Sequence, residues 1–402
     1  SIPCLTRTLN SMKRQRLELY ELRTFIINGI TASVSFALAA NVLKNREIAP
    51  RPWQPGSLAP RVEIIVPARN EEANILPLLR TLLRQEYPHD RYHITVVDDG
   101  STDDTATLAR NLAAGNPRLR VIQAPNLPEG WTGKNHALWT GSQQAADADW
   151  LLFVDADTRH HPLMLASAVQ HAEEVKADLL SLVTAMQLAS FWDRVVVPQV
   201  GELYTLLVGS MDAVNGNGNS AAANGQFILM RPELYRRVGA TEPVGSDVAE
   251  DRALAAACKA SGATIRLDYG RRLVSTNVYD SFRSMWRGYS KTLFWATGHD
   301  TTHALSVAFA LGFYAFAPLI DLMRGLATHE SQVRASRIRN ATLQLVPMLL
   351  LRAAVCRQLG IPIRCAATYP LSVVVGNSML LYSLYQVLSG RGVGWKGRTY
   401  RK

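Results

Sequence analysis

The sequence is short of several things that would point to other chemistries. It has four cysteines in 402 residues, Cys4, Cys258, Cys356 and Cys365, and no two are spaced as C-x-x-C. A disulfide framework and a thiolate zinc site are therefore excluded, and the usage suits a reducing compartment. Glycine is missing from the loop VPARNEE (66–72). A nucleotidyltransferase would open there with a Gly-rich, Arg-containing phosphate loop. Net basic charge is missing from the middle: residues 51–270 hold 19 Lys/Arg against 26 Asp/Glu, whereas 1–50 hold 7 against 3 and 271–402 hold 17 against 4. A nucleic-acid binder wants its basic patch on the folded domain, so nucleic acid is not an expected partner. Basic residues beside apolar segments suit an anionic membrane surface instead.

Charge is absent altogether from TFIINGITASVSFALAANVL (24–43), twenty residues long. About 20 mostly apolar residues suffice for one membrane span. Residues 303–320 and 366–389 are two further candidate spans, and 341–351, bounded by Arg339 and Arg352, is a span or an interfacial helix. The first segment lacks a small-residue cleavage site and runs into Lys44 and Arg46, unlike a cleaved signal peptide. The positive-inside rule puts both basic termini in the cytoplasm. A single N-terminal crossing would then leave the middle domain outside, where nucleotide donors are scarce. Either 24–43 is not a simple span or the rule fails here. The expected organisation is a basic segment and membrane helix (1–48), a Pro-rich linker (49–61), an α/β domain (62–280), an amphipathic interfacial helix (281–300) and C-terminal membrane helices with a basic tail (301–402).

What the middle does have is alternation. Apolar runs at 62–67, 93–99, 119–124 and 150–156 read as strands; 71–85, 101–115 and 133–145 have helical periodicity. Ser101 or Thr102 would cap the second helix, with Asp103 and Asp104 as dipole partners in its first turn. Strand and helix alternating at this spacing predict a Rossmann-type, mostly parallel sheet with helices on both faces. Ligands of such sheets bind beyond the carboxyl ends of the strands. Three acidic clusters fall there: Pro67-Ala68-Arg69-Asn70-Glu71, Asp98-Asp99-Gly100-Ser101 and Asp155-Ala156-Asp157.

Asp155 and Asp157 stand one residue apart after an apolar strand, and like charges so close raise each other's pKa. A hard divalent cation, Mg²⁺ or Mn²⁺, would relieve that and hold a diphosphate, since Mg²⁺ takes one or two carboxylates plus phosphate oxygens and waters. Asp98 and Asp99 can accept from a base or a ribose, and Lys134, at a helix start, can reach a phosphate. A non-enzymatic membrane adaptor has no need of three carboxylate clusters on one rim.

The pieces IIVPARNEEANI, VVDDGSTDDT, GWTGKNHAL and FVDADT, in this order, resemble the family-2 glycosyltransferases of the GT-A fold, over about residues 60–290. The flanking apolar segments and the ending GWKGRTY resemble membrane-associated members that glycosylate lipids, including those of hopanoid and carotenoid pathways. The resemblance implies a nucleotide pocket lined by Pro67, Ala68, Glu71, Asp98 and Asp99, with Lys134 near the donor, Asp155 at ribose or metal and Asp157 on the metal. It also implies a general base on a later helix, here Asp251 beside Glu250 in SDVAEDRALAAACKASG (246–262). The expected reaction is inverting transfer from a nucleotide sugar to a hydroxyl of an isoprenoid-type membrane lipid. The cation-held diphosphate leaves while Asp251 takes the acceptor's proton. The whole is expected to be an integral membrane protein with its catalytic domain facing the cytoplasm. The alternatives are a processive polysaccharide synthase, which needs more helices for a channel, and a metal-dependent nucleotidyltransferase.

The sequence departs from the family at Asn224-Gly225-Gln226, where paired glycines are usual, so Gln226 is a candidate for the acceptor pocket. Arg283, Trp286 and Arg287 are candidates for an Arg/Trp interface motif; snorkelling on a membrane-surface helix explains them equally well. Residues 209–225, small, polar and glycine-rich, read as a mobile loop over the site.

Overall fold

The structure is a computed structural model that describes residues 20–400, apart from 21, 23, 34, 37–46, 55, 57, 189, 209–210, 240–243, 246–249, 278, 280, 299, 390–392 and 396–397. The chain divides into two compact units, Ser1–Lys44 with Arg194–Gly201 and Thr301–Leu381, and Asn45–Asp193 with Glu202–Asp300 and Tyr382–Lys402.

The second unit is α/β, and its first half follows the predicted order. Strand β1 (Val62–Ala68) leads to α2 (Glu72–Leu83), β2 (Tyr92–Asp98) to α3 (Thr105–Ala113), β3 (Leu119–Gln123) to α4 (Gly133–Ser142), and the run ends in β4 (Trp150–Val154). Further strands are β5 (Thr158–His160), β6 (Leu179–Val183), β7 (Ala185–Met186), β8 (Phe227–Met230), β9 (Ile265–Tyr269) and β10 (Val274–Thr276). Seven strands make one sheet in the order β3-β2-β1-β4-β8-β6-β9. Neighbours pair in parallel except β8, which runs against both β4 and β6. A smaller sheet of order β5-β10-β7 adjoins it in sequence, with Thr276 opposite Thr158.

The strands are apolar at successive positions because both faces are covered. Alternate residues go to opposite sides. Ile64, Val66, Ile94, Val96, Leu152 and Val154 join one core with α2, α3 and α5 (Met164–Glu174). Ile65, Val97, Leu151 and Phe153 join the other with α4, α8 (Pro232–Val238) and α9 (Glu250–Ala260). Helix α4 lies so close to the sheet that a Cβ on Gly141 would fall 2.5 Å from Ile65 Cγ2. That close approach fixes the helix whose first turn carries Lys134.

One expectation about local structure is corrected. Neither Ser101 nor Thr102 caps α3, whose cap is Asp104. Ser101 Oγ instead accepts Asn70 N–H at 3.1 Å, Asn70 Oδ1 accepts Thr102 N–H at 2.8 Å, and Thr105 Oγ1 accepts Glu71 N–H at 2.7 Å. Asp103, outside the helix, accepts Glu72 N–H at 3.2 Å. The loops after β1 and β2 thus bind each other, and that use of the hydroxyls outcompetes the predicted cap. The Pro-rich segment packs on the domain, with the Trp53 ring edge-on to Tyr87 at 5.4 Å, and just before it Ile48 N–H donates to Tyr269 O at 2.8 Å.

The other unit is helical. It contains α1 (Thr24–Ser33), α11 (Thr301–Ala327), α12 (Ser331–Gln358), a 3₁₀ turn (Ile363–Thr368) and most of α13 (Tyr369–Leu388). Residues 301–327 and 363–388 are long and apolar enough to cross a membrane. The rest of the 24–43 candidate, residues 37–43, lies outside the described residues. The 341–351 segment is the middle of the 28-residue α12, not a separate short element. The reason is Arg352, which is 1% exposed and donates to Val195 O at 2.9 Å, so the arginine that seemed to end the segment is packed inside the unit. Large apolar side chains such as Phe25, Phe309, Met323 and Leu350 are exposed.

Candidate active site

Strands β2, β1 and β4 are consecutive in the sheet and point the same way, so their carboxyl ends share one rim. At about 4.8 Å per strand, Asp99 and Asp157 hang from strands about 10 Å apart, on that rim. Asp98 ends β2 and accepts Ser101 N–H at 3.1 Å. Asp99 N–H donates to Ala68 O at 2.9 Å, and Arg69 donates to the Asp99 carbonyl, with its Nη1 4.0 Å from the carboxylate. Pro67 and Ala68 close β1, and Glu71 Oε2 accepts from Asn74 at 2.9 Å.

The centre of the rim is an ion cluster. Thr132 caps α4 by accepting Asn135 N–H at 3.3 Å, and Lys134 follows in the first turn. Its Nζ lies 2.7 Å from Asp155 Oδ1 and 2.5 Å from Glu250 Oε1. Asp251 is beside it, held by backbone donors: Gly225 N–H reaches Oδ2 at 3.0 Å and Arg252 N–H reaches Oδ1 at 2.8 Å. Residues far apart in the chain therefore meet at one place. The reversed strand explains how: β8 begins where β4 ends, with Phe227 opposite Val154, so Gly225 and Gln226 enter the sheet at the acidic rim. A Cβ on Gly225 would sit 3.2 Å from both Glu250 Oε1 and Lys134 Nζ. A side chain there would crowd both members of the ion pair, which would have to give by a few tenths of an ångström.

These surroundings shift the titrations. Asp157 is pushed up to about 7 by burial, then by the charges of Asp155 and Glu71. Burial also raises Asp155, against the pull of Lys134. Asp251 is raised to about 6, by burial and the charge of Glu250, which outweigh Lys134 and its two backbone donors. Glu250 goes the other way: burial opposes its charge, but Lys134 and Lys291 hold it below its ordinary range. Those same carboxylates raise Lys134 well above its usual value despite burial.

The pair Asp155/Asp157 fits a hard cation. Asp157 Oδ1 is buried with no hydrogen-bond partner, an orphaned carboxylate oxygen of the type a divalent ion satisfies. Among the described residues no three His, Cys, Asp or Glu side chains gather as a complete metal cage. The remaining ligands would be phosphate oxygens and water, as is usual for Mg²⁺.

Other placements differ from the motif reading. Gln226 Oε1 accepts from Thr184 Oγ1, and from Thr276 Oγ1 at 2.9 Å. Arg283 and Arg287 lie exposed on α10 (Phe282–Ala296). Trp286 joins a run of rings, 5.9 Å from Phe282 and 5.9 Å from Tyr382. The residue of that helix that feels the cluster is Lys291, lowered by burial and surrounded by the charges of Glu250, Lys134, Asp155 and Asp251. Nothing in the local spelling singled it out. Residues 211–225 are not all loop: after α6 (Phe191–Val208), Met211–Asn215 form a short helix (α7), tied down by Asn215 Oδ1 accepting Leu267 N–H at 2.7 Å.

A mostly parallel, doubly covered sheet with acidic strand ends on one rim is the arrangement of the GT-A fold. The comparisons agree and are more specific. Residues 63–239 match the model of Glycosyl transferase family 2. The 4,4'-diaponeurosporenoate glycosyltransferase of Staphylococcus aureus (strain USA300) is 25% identical over 349 residues, covering 84% of this chain and 87% of that protein. The mannosyltransferase PcManGT of Pyrobaculum calidifontis, solved with GDP-Man and Mn²⁺, is similar in fold, with a TM-score of 0.52, 20% identity, and coverage of 92% of this chain and 97% of that one.

Proposed function

We propose that the protein transfers a sugar, with inversion, from a nucleotide-diphosphate donor to a hydroxyl of an isoprenoid-type membrane lipid. The observation that carries this reading is the junction of Asp251 with the Lys134–Asp155–Glu250 cluster: a carboxylate raised to about 6, locked by two backbone amides, beside the acidic rim. The carotenoid-acid glycosyltransferase relative supports the acceptor class, and the GDP-Man and Mn²⁺ complex of the fold relative supports the donor class and the cation.

The nucleotide is bound by the β1 and β2 loops, with Asp98 and Asp99 accepting from base or ribose. Asp155 and Asp157 would hold Mg²⁺ or Mn²⁺, which when bound would supply charge neutralisation for the diphosphate. Lys134 donates to the phosphate oxygens, and Lys291 stays to balance Glu250. Asp251 accepts the proton of the attacking hydroxyl. Its pKa near 6 leaves it ionised at neutral pH yet basic enough to take part. Glu250 keeps it there by adding a neighbouring negative charge. Two apolar helices and an aromatic run with outward arginines support membrane attachment, and the cytoplasmic supply of nucleotide sugars sets the proposed orientation.

The test is to incubate membranes containing the full chain with radiolabelled UDP- and GDP-sugars and extract the lipids. Label in the organic phase is expected. Label confined to aqueous polymer points to a processive synthase, and no divalent-dependent turnover of any donor ends the proposal.

A further inference from the structure

Gln226 is bound on one side and open on the other. Its orientation is fixed by a chain of bonds that begins at a backbone carbonyl. Asn224 donates through Nδ2 to Leu182 O at 2.9 Å, and a carbonyl can only accept, so that atom is the nitrogen. The same Nδ2 lies 3.4 Å from the near amide atom of Gln226, which must therefore be the oxygen. Oε1 then also accepts from the hydroxyls of Thr184 and Thr276, both buried and 3.2 Å from each other. The oxygen is saturated. Nε2, with two N–H donors, has no partner among the described residues, and Gln226 as a whole is only partly buried.

Its neighbours say what would meet that donor. On one side is Gly225, whose N–H holds Asp251. On the other is Thr276, paired across β10 and β5 with Thr158, while Asn277 N–H reaches Asp157 O at 3.4 Å. Gln226 thus lies between the diphosphate end and the base end of the rim. In an in-line displacement the transferred sugar occupies that interval, because its anomeric carbon must lie between the leaving and attacking oxygens.

Resting on the glycosyl-transfer reading, we infer that Gln226 is a specificity-determining residue whose Nε2 donates to a ring hydroxyl of the transferred sugar. Thr184, Thr276 and Asn224 are positioning residues that aim it. This assigns Gln226 to the donor sugar and not to the acceptor pocket that its sequence position suggested. A site that spends a fixed donor on one hydroxyl rejects the analogue lacking it.

The experiment first finds which of UDP-glucose, UDP-N-acetylglucosamine and GDP-mannose the full-length protein turns over. It then measures kcat/KM for that donor and its monodeoxy analogues with wild type, Gln226→Ala and Gln226→Met. Wild type is expected to lose about 10–100-fold on one analogue, the cost of an unpaired donor. Gln226→Ala should lose a similar factor on the normal donor and less than about 3-fold more on that analogue. Gln226→Met, which keeps the length of the side chain but can neither donate an N–H nor offer a charged acceptor, should behave like Ala. Affinity for UDP or GDP alone checks the fold; where Ala disturbs it, the Met variant, closer in volume, decides. Undiminished discrimination in the Met variant overturns the inference while leaving glycosyl transfer intact. Turnover of none of the donors by wild type removes the underlying reading and the inference with it.

Discussion

Replacing Lys134 with methionine keeps most of the stem and deletes the ammonium. That ammonium is 2.7 Å from Asp155 and 2.5 Å from Glu250, with side chains 19%, 27% and 16% exposed. At an effective dielectric near 20, unit charges 4 Å apart attract by about 4 kcal/mol. Removing one partner of an enclosed pair costs about 3–5 kcal/mol; the partial exposure argues for about 3. The sign with pH follows from the titrations. Glu250 has a depressed folded pKa, so its pairing adds stability above the ordinary carboxylate range and loses it as pH falls. Lys134, raised above its ordinary value, stays charged from pH 5 to 8. In the variant, with the ammonium gone, Asp155 and Glu250 both rise, take up protons more readily as pH falls and so escape most of their repulsion. The deficit should therefore be about 1 kcal/mol at pH 5 and about 3 at pH 8. With about 2–4 °C per kcal/mol for a unit of this size, the Tm gap should widen from about 3 to about 9 °C. The assay is thermal unfolding of the detergent-purified full chain, with EDTA present so that no cation replaces the lysine. A gap that does not change with pH, or that narrows toward pH 8, refutes the electrostatic account of the cluster.

Three other outcomes are expected. Asp251→Asn should cut kcat by about 10²–10⁴ with donor affinity nearly unchanged, and wild-type activity should climb with pH through a limb near 6, where Asp251 loses its proton; activity surviving the substitution would reassign the base. Gly225→Ala, whose methyl would press on Glu250 and Lys134 at 3.2 Å, should lower kcat about 10-fold, since displacements well under 1 Å already misalign reacting groups, with little change in Tm. Asp157→Asn should weaken nucleotide-sugar binding by at least about 10-fold, and calorimetry should find the residue of binding indifferent to Mg²⁺ or Mn²⁺.

The strands, their order as far as β4 and the acidic rim were legible because each is written locally: an apolar run, then carboxylates. Lys134 and the pair Glu250-Asp251 were legible as helix-start residues. Their mutual contact was not, because it depends on β8 entering the sheet backwards, and a four-residue apolar strand carries no mark of its direction. Lys291 was hidden for a similar reason, since only packing distinguishes it from Arg283 and Arg287 on the same helix. The capping error at Ser101 came from treating two loops separately when they satisfy each other. Arg352 misled because a charge was read as a boundary, whereas a backbone carbonyl and the Tyr369 ring, 5.5 Å away, shelter it.

The single backward strand has a consequence for how such a protein can diversify. Because β8 is entered from the acidic edge, the stretch from Gly216 to Gln226 reaches that edge without being part of the sheet's frame. On the proposed function, exchanging that segment between relatives is expected to change which sugar is accepted while the strands on either side stay as they are.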